Sequence, residues 1–192
     1  MTSPLYLIMT VGKTHSGKTT FARKLHEQLP AFCLIDTDEV MPFLRKQVPE
    51  ILAYEKSLGH VLDATKLRSS IGKLMMDTAF SYGLSLIVPN GHITRNVRNQ
   101  KRELAHKYQA KVIYVSFELP VEVLAERIRT TVRSTDPLNL SNSYEELLER
   151  QEKIFEAPSP EEADHFFAIK QVSDCDRVME QILVIVAQKP SS

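Results

Sequence analysis

Gly12-Lys13-Thr14-His15-Ser16-Gly17-Lys18-Thr19 follows the pattern G-x-x-x-x-G-K-[ST] at every fixed position. The run before it, Leu5 to Val11, is apolar and branched like a buried strand. The run after it, Thr20 to Leu29, has helical spacing, with Phe21, Leu25 and Leu29 on one face. Strand, glycine loop and helix in that order make the pattern a phosphate-binding loop rather than a chance turn. Gly12 and Gly17 let the backbone curl so that successive N–H groups aim at phosphate oxygens. The following helix adds its positive end. Lys18 brings a point charge to the β- and γ-phosphates, and the Thr19 hydroxyl is placed to ligate Mg²⁺. The expected nucleotide contacts are Gly12, Lys13, Thr14, His15, Ser16, Gly17, Lys18, Thr19 and Thr20.

The 192 residues suffice for one α/β domain and leave no room for a second core. The 24 basic and 24 acidic side chains balance, so no global field recruits nucleic acid, and long nucleic acid is disfavoured as a partner. Cys33 and Cys175 lack metal-ligand spacing and read as reduced thiols of a cytoplasmic protein. The N-terminus has no basic run ahead of its apolar stretch, so no leader is expected, and no segment reaches membrane-spanning length. Residues 189–192 are expected to fray.

Apolar strands alternate with amphipathic helices, which argues for a parallel sheet covered on both faces. Later strands are expected at Phe32–Ile35, Leu84–Val88, Val112–Phe117 and His165–Ile169. A long helix over Leu62–Tyr82 carries Leu67, Ile71, Leu74, Met75 and Thr78 as its apolar stripe, with Gly83 as its cap. Helices follow over Asn96–Gln109, from Pro120, from Tyr144 behind a Ser143 cap, and over Asp174–Gln188. Residues 133–142 read as a loop, and the lid is expected at about 127–145.

In such a sheet, ligands gather beyond the carboxyl ends of the strands. The second strand delivers Asp36 and Asp38 there. Asp38 is the expected acceptor-orienting base or a helix cap, and Asp36 helps with magnesium-bound water or fixes the loop. The third strand delivers Pro89-Asn90-Gly91-His92, with no acid for the metal shell, so Asn90 is the candidate replacement. His92 either contacts the acceptor or is a satisfied loop histidine. Arg127 and Arg133 are candidate stabilisers of charge on the transferred group. Arg95 and Arg98 lie close enough to the active edge to grip an anionic acceptor, or else belong to a solvated face.

The phosphate loop, Ile35-Asp36-Thr37-Asp38, Val123-Leu124-Ala125-Glu126-Arg127 with Arg133, and Glu149-Arg150-Gln151 with Phe155-Glu156-Ala157-Pro158 give the chain a family likeness. It resembles P-loop kinases of the zeta-toxin, chloramphenicol phosphotransferase and polynucleotide kinase group, including AAA-type ATP-binding kinases. The resemblance implies a P-loop NTPase three-layer sandwich with strand order 2-3-1-4-5 and an arginine-bearing lid. It also implies that Asp38 is the acceptor base. These kinases often carry Arg three residues after the second Asp; here Met41 stands there, with Arg45 or Lys46 as substitutes.

The function expected of residues 1–192 as a single kinase domain is transfer of the γ-phosphate of ATP·Mg²⁺ to a hydroxyl of a small-molecule or nucleotide acceptor. ATP is expected rather than GTP because the chain has no Asn-Lys-x-Asp guanine motif. The alternatives are an ATPase or nucleotide-binding regulator without a second substrate, and a zeta-toxin-like kinase.

Overall fold

The structure, a computed structural model, describes residues 4–50, 64–132 and 143–188. Five parallel strands form one sheet in the order β2-β3-β1-β4-β5. They are β1 (Tyr6–Val11), β2 (Cys33–Leu34), β3 (Leu86–Val88), β4 (Lys111–Phe117) and β5 (His165–Ile169). The expected strand order and fold are those observed.

β1 occupies the centre and is buried along its whole length. Its side chains alternate between two cores, as the strand period requires. Leu7, Met9 and Val11 join Met76, Phe80, Leu104 and Tyr114 on one face. Tyr6 and Ile8 join Phe21, Leu25, Val178 and Ile182 on the other. Each fully buried aliphatic side chain contributes roughly 1.5–3 kcal/mol. Helices α1 (Lys18–Gln28) and, near the C-terminus, α7 (Asp174–Ala187) therefore cover one face. Helices α3 (Ala64–Ser81) and α4 (Arg95–Lys107) cover the other.

Among the described residues between β2 and α3 are a 3-10 turn, Thr37–Glu39, and a short helix α2 (Val40–Gln47). Beyond β4, α5 (Val121–Thr130) and α6 (Tyr144–Ile154) share a small core of Leu119, Leu124, Ile128, Tyr144 and Leu148. Ser143 caps α6 as expected, accepting the Glu146 N–H. Gly83 ends α3 at φ 72°, as a left-handed C-terminal residue should.

The α3 stripe differs from its expectation. Leu67 and Ile71 do pack, against Val40 and Leu44 of α2. Leu74 and Met75, however, are 66% and 43% exposed, while Met76, Ala79 and Phe80 face the sheet. The cause lies at Gly72, where an added Cβ would fall 2.5 Å from Thr37 Cγ2. Close approach of the 3-10 turn to this glycine sets the rotation of the helix, and the residues one turn further on follow.

Cys33 and Cys175 are free and pack on opposite faces of the sheet. Among the described residues no helix is long and apolar enough to cross a membrane.

Candidate active site

The phosphate loop leaves the carboxyl end of the central strand and turns into α1. Gly12 has φ 147° and Gly17 has φ 100°, both in the region that favours glycine. A Cβ on Gly12 would also lie 3.0 Å from the Cβ and carbonyl oxygen of Phe117. His15 stands between them at φ 57°. The loop is pinned by Gly12 N–H donating to Gly91 O at 2.9 Å. Lys18 Nζ turns back into the loop and donates to Lys13 O and to Ser16 Oγ. A buried ammonium at the turn from a glycine loop into a helix N-terminus puts positive charge where an anion can be cradled.

The arm beyond β4 closes over this loop. Arg127 Nη1 donates to His15 O at 3.0 Å. The ring of Tyr144 meets the His15 ring edge-on at 4.7 Å. Thr14 N–H donates to Gln151 Oε1 at 2.7 Å. Lys13 pairs with Glu152 and sits over the Phe155 ring.

On the other side of the loop, β2 delivers its carboxylates as a capped turn. Asp36 Oδ1 accepts Asp38 N–H at 3.1 Å and Asn90 Nδ2 at 3.2 Å. Asn90 Oδ1 in turn accepts Thr37 N–H at 3.3 Å. Asp36, not Asp38, is therefore the cap. Burial, and then the Asp38 charge, push the Asp36 carboxyl above its usual range. Asp38 lies inside the 3-10 turn, and Arg68 Nη1 donates to its Oδ1 at 3.0 Å.

His92 is buried at φ 46°, and its Nδ1–H donates to Thr10 O at 2.7 Å. Burial, followed by the charge of Lys101, pushes it down to about 3, so the ring is neutral. Its Nδ1 is held by the loop backbone, and its buried Nε2 has no hydrogen-bond partner among the described residues.

Residues 7–158, from the first strand through the arm, match the family described as the AAA domain. The chain belongs to the AAA-domain family. Comparison with curated proteins finds no match. Among solved structures, this AAA domain is similar to a sugar kinase of Janibacter sp. HTCC2649, at 19% identity and TM-score 0.65, with 96% of each chain covered. It is also similar to the APS kinase CysC of Mycobacterium tuberculosis in complex with AMPPNP and APS, at 14% identity and TM-score 0.62, covering 97% of this chain and 99% of that one. A third likeness is to Kti12 of Chaetomium thermophilum in complex with ADP-AlF3, at 16% identity and TM-score 0.62, covering 95% and 100%. At these identities the shared property is the fold.

In this AAA domain, Lys18, Ser16, Asp36, Asp38 and Arg127 gather around the loop and the neighbouring strand ends. Thr19 is half-buried at the start of α1, and Thr20 is exposed. Arg133 and the expected loop over 133–142 lie outside the described residues, as do 189–192. Of the two stand-ins for an arginine at Met41, Lys46 is exposed on α2, and the Arg45 side chain is outside the described residues. Arg98 does not grip a ligand. Its side chain is fully buried and paired to both Glu162 oxygens, at 2.7 and 3.0 Å, and it donates to the carbonyls of His92 and Glu156. The Arg95 backbone N–H donates to Glu156, while its exposed side chain lies 3.8 Å from Glu162. Two residues carried no assigned role in the sequence: Arg68 and Gln151. Gln151 stood within the family-like segment, but only its contact with Thr14 gives it a place.

Proposed function

We propose that this AAA domain is an ATP-dependent phosphotransferase, a single kinase domain over 1–192 with its lid at about 127–145. It moves the γ-phosphoryl group of ATP to a hydroxyl of a small-molecule or nucleotide acceptor. The observation that carries this reading is the adjacency of cradle and carboxylates. Gly12 is bonded to Gly91, and the adjoining Asn90 is bonded to Asp36. A base and an anion cradle on neighbouring strand ends suit phosphoryl transfer between two bound substrates.

In that reaction the loop amides and Lys18 hold the β- and γ-phosphates. The acceptor hydroxyl gives its proton to Asp38 as its oxygen bonds to phosphorus. The bond from phosphorus to the β,γ-bridging oxygen breaks, and ADP leaves with that electron pair. Arg127, anchored on the loop, and Arg133 of the lid stabilise charge on the transferred group. A closed lid excludes water and suppresses hydrolysis.

The donor set suits Mg²⁺ held mainly by the nucleotide. Among the described residues no cluster of three or more His, Cys, Asp or Glu forms a protein metal cage. Thr19 supplies a hydroxyl, and Asp36 uses only Oδ1 in its hydrogen bonds, which leaves Oδ2 for a metal-bound water. Bound there, Mg²⁺ would neutralise phosphate charge. Asn90 occupies the usual position of an acid and holds Asp36 in place instead.

The absent acid also favours a second reading, a nucleotide-binding regulator that hydrolyses ATP slowly. ADP production with and without a panel of hydroxyl acceptors separates the two. Acceptor-stimulated ADP release abolished by Asp38→Asn supports the kinase; acceptor-independent release unchanged by that substitution overturns it. Within the kinase reading, growth arrest on expression relieved by Lys18→Ala would assign the zeta-toxin-like branch.

A further inference from the structure

Among the described residues, Arg68 of α3 is the one side chain bonded to the Asp38 carboxylate, and it has no part in the scheme above. Its Nη1 donates to Asp38 Oδ1 at 3.0 Å, in an ion pair half-buried on both sides. Four residues on, Gly72 of the same helix meets Thr37 so closely that a Cβ there would fall 2.5 Å from Thr37 Cγ2. Positions four apart share one face of a helix. One face of α3 therefore meets two consecutive residues of the carboxylate turn, Thr37 by steric fit and Asp38 by charge.

The backbone of this turn is already fixed. Asp36 accepts the Asp38 N–H, and Asn90 accepts the Thr37 N–H. The Asp38 side chain needs a hold of its own. The last torsion of an aspartate joins sp³ and sp² carbons and is broad, so a fixed backbone does not settle where the oxygens lie. The Asp36 carboxylate is close by, and like charges push apart. Arg68 supplies the opposing pull on Oδ1, and among the described residues Oδ2 accepts no hydrogen bond. A general base works only when its accepting atom is held within about 0.5 Å of the productive place.

Building on the kinase reading, we propose that Arg68 is a positioning residue for the base that receives the acceptor's proton. Bound to Oδ1, it fixes the carboxylate plane and leaves Oδ2 as the accepting atom. As the acceptor oxygen bonds to phosphorus, the hydroxyl proton passes to Oδ2, and the electron pair of the broken P–O bond leaves with ADP. Arg68 gives up no proton, since a guanidinium keeps its charge in proteins. The rotation of α3, set at Gly72, is thereby part of the catalytic geometry, because it decides where Arg68 stands.

The test uses the full chain. Glycerol, glucose, serine and adenosine serve as hydroxyl probes, and ADP release is followed with ATP and Mg²⁺. With a probe that stimulates release, Arg68→Gln is expected to lower kcat roughly 10–100-fold, the scale of a misplaced catalytic group, with the KM for ATP unchanged. Arg68→Lys keeps a cation for Oδ1 and should recover part of kcat, which a residue that merely packs the helix would not require. Undiminished AMPPNP affinity in each variant shows that it is folded. Crystal structures with AMPPNP and Mg²⁺ add a readout that needs no acceptor. The unsubstituted protein should keep the Arg68–Asp38 contact, and Arg68→Gln should show the Asp38 carboxylate in more than one conformer on an unmoved turn. Failure of the unsubstituted protein to bind AMPPNP overturns the kinase reading itself. AMPPNP binding with the contact absent from the loaded unsubstituted protein, with Asp38 in one unchanged conformer in Arg68→Gln, or with kcat undiminished in that variant, overturns the positioning role alone.

Discussion

Gln151 Oε1 accepts the backbone N–H of Thr14 at 2.7 Å, so a side chain from α6 occupies one amide of the phosphate loop. A phosphate oxygen approaching this part of the loop must compete with a neutral acceptor for that donor. Gln151→Ala leaves the amide to the anion, and a bond to a charged oxygen is worth about 1 kcal/mol more than the one lost. AMPPNP is expected to bind about fivefold more tightly to this variant, measured by calorimetry. Weaker binding would mean that Gln151 supports the nucleotide rather than competing with it.

Arg127 bridges α5 and the loop through His15 O at 3.0 Å. Its remaining donors are available to the transferred group. Arg127→Ala is expected to slow single-turnover phosphoryl transfer by about 10²-fold, the scale of losing one preorganised donor. AMPPNP affinity should change far less. Arg127→Lys should not restore the rate, because an ammonium cannot hold the carbonyl and reach a phosphate in one plane. Equal losses in affinity and rate would reduce Arg127 to a loop support.

The Arg98–Glu162 pair is buried on both sides. Burial acts to raise the Glu162 carboxyl, but hydrogen bonds from Arg98 and from Ser159 N–H override it and hold the group below its ordinary value of 4.5. Its folded-state value is depressed, so its stabilisation is complete above about pH 4.5 and is lost as pH falls through the folded value. Glu162→Gln leaves an uncompensated buried guanidinium and should cost about 3–5 kcal/mol in urea denaturation. The double variant Arg98→Met with Glu162→Met should recover part of that loss, since no charge remains buried.

His92 gives a second pH dependence. Its folded value is about 3 against 6.5 in the open chain. Below pH 6.5 the unfolded chain takes up a proton that the folded protein refuses, so stability falls with pH until about 3. The contribution approaches about 1.4 kcal/mol per pH unit. Replacement His92→Asn, which also tolerates a left-handed backbone, removes this component. Urea midpoints at pH 7 and pH 5 should therefore differ less in the variant than in the unsubstituted protein.

What could be read from the sequence divides along a physical line. The loop was legible because its glycines, lysine and threonine obey a local geometry set by consecutive residues. The strands were legible because a sheet covered on both faces demands apolar runs such as Leu7-Ile8-Met9, and the covering helices supply their own periodicity. The α3 stripe was misread from Leu74 onward because the helix carries apolar residues on two faces. Only contact between Gly72 and Thr37, which are 35 positions apart, selects the buried one. Arg98 was misread because a buried arginine looks like a surface arginine until its partner, Glu162, is found on a distant turn. Gln151 is placed by helix packing across the site, and no local pattern marks such a position.

Of the segment between β4 and β5, the described residues 118–132 and 143–156 are fastened to the rest of the molecule at both outer ends. Glu118 N–H donates to Ile169 O at one end. Glu156 N–H donates to Ile93 O at the other, and Arg98 holds the Glu156 carbonyl beside it. The strands beneath make their ladder without any of these residues. The arm is thus independent of the sheet but not of the phosphate loop: through Arg127 on His15 O and Gln151 on the Thr14 N–H, a shift of its helices is transmitted to the loop while the strand ladder stays untouched.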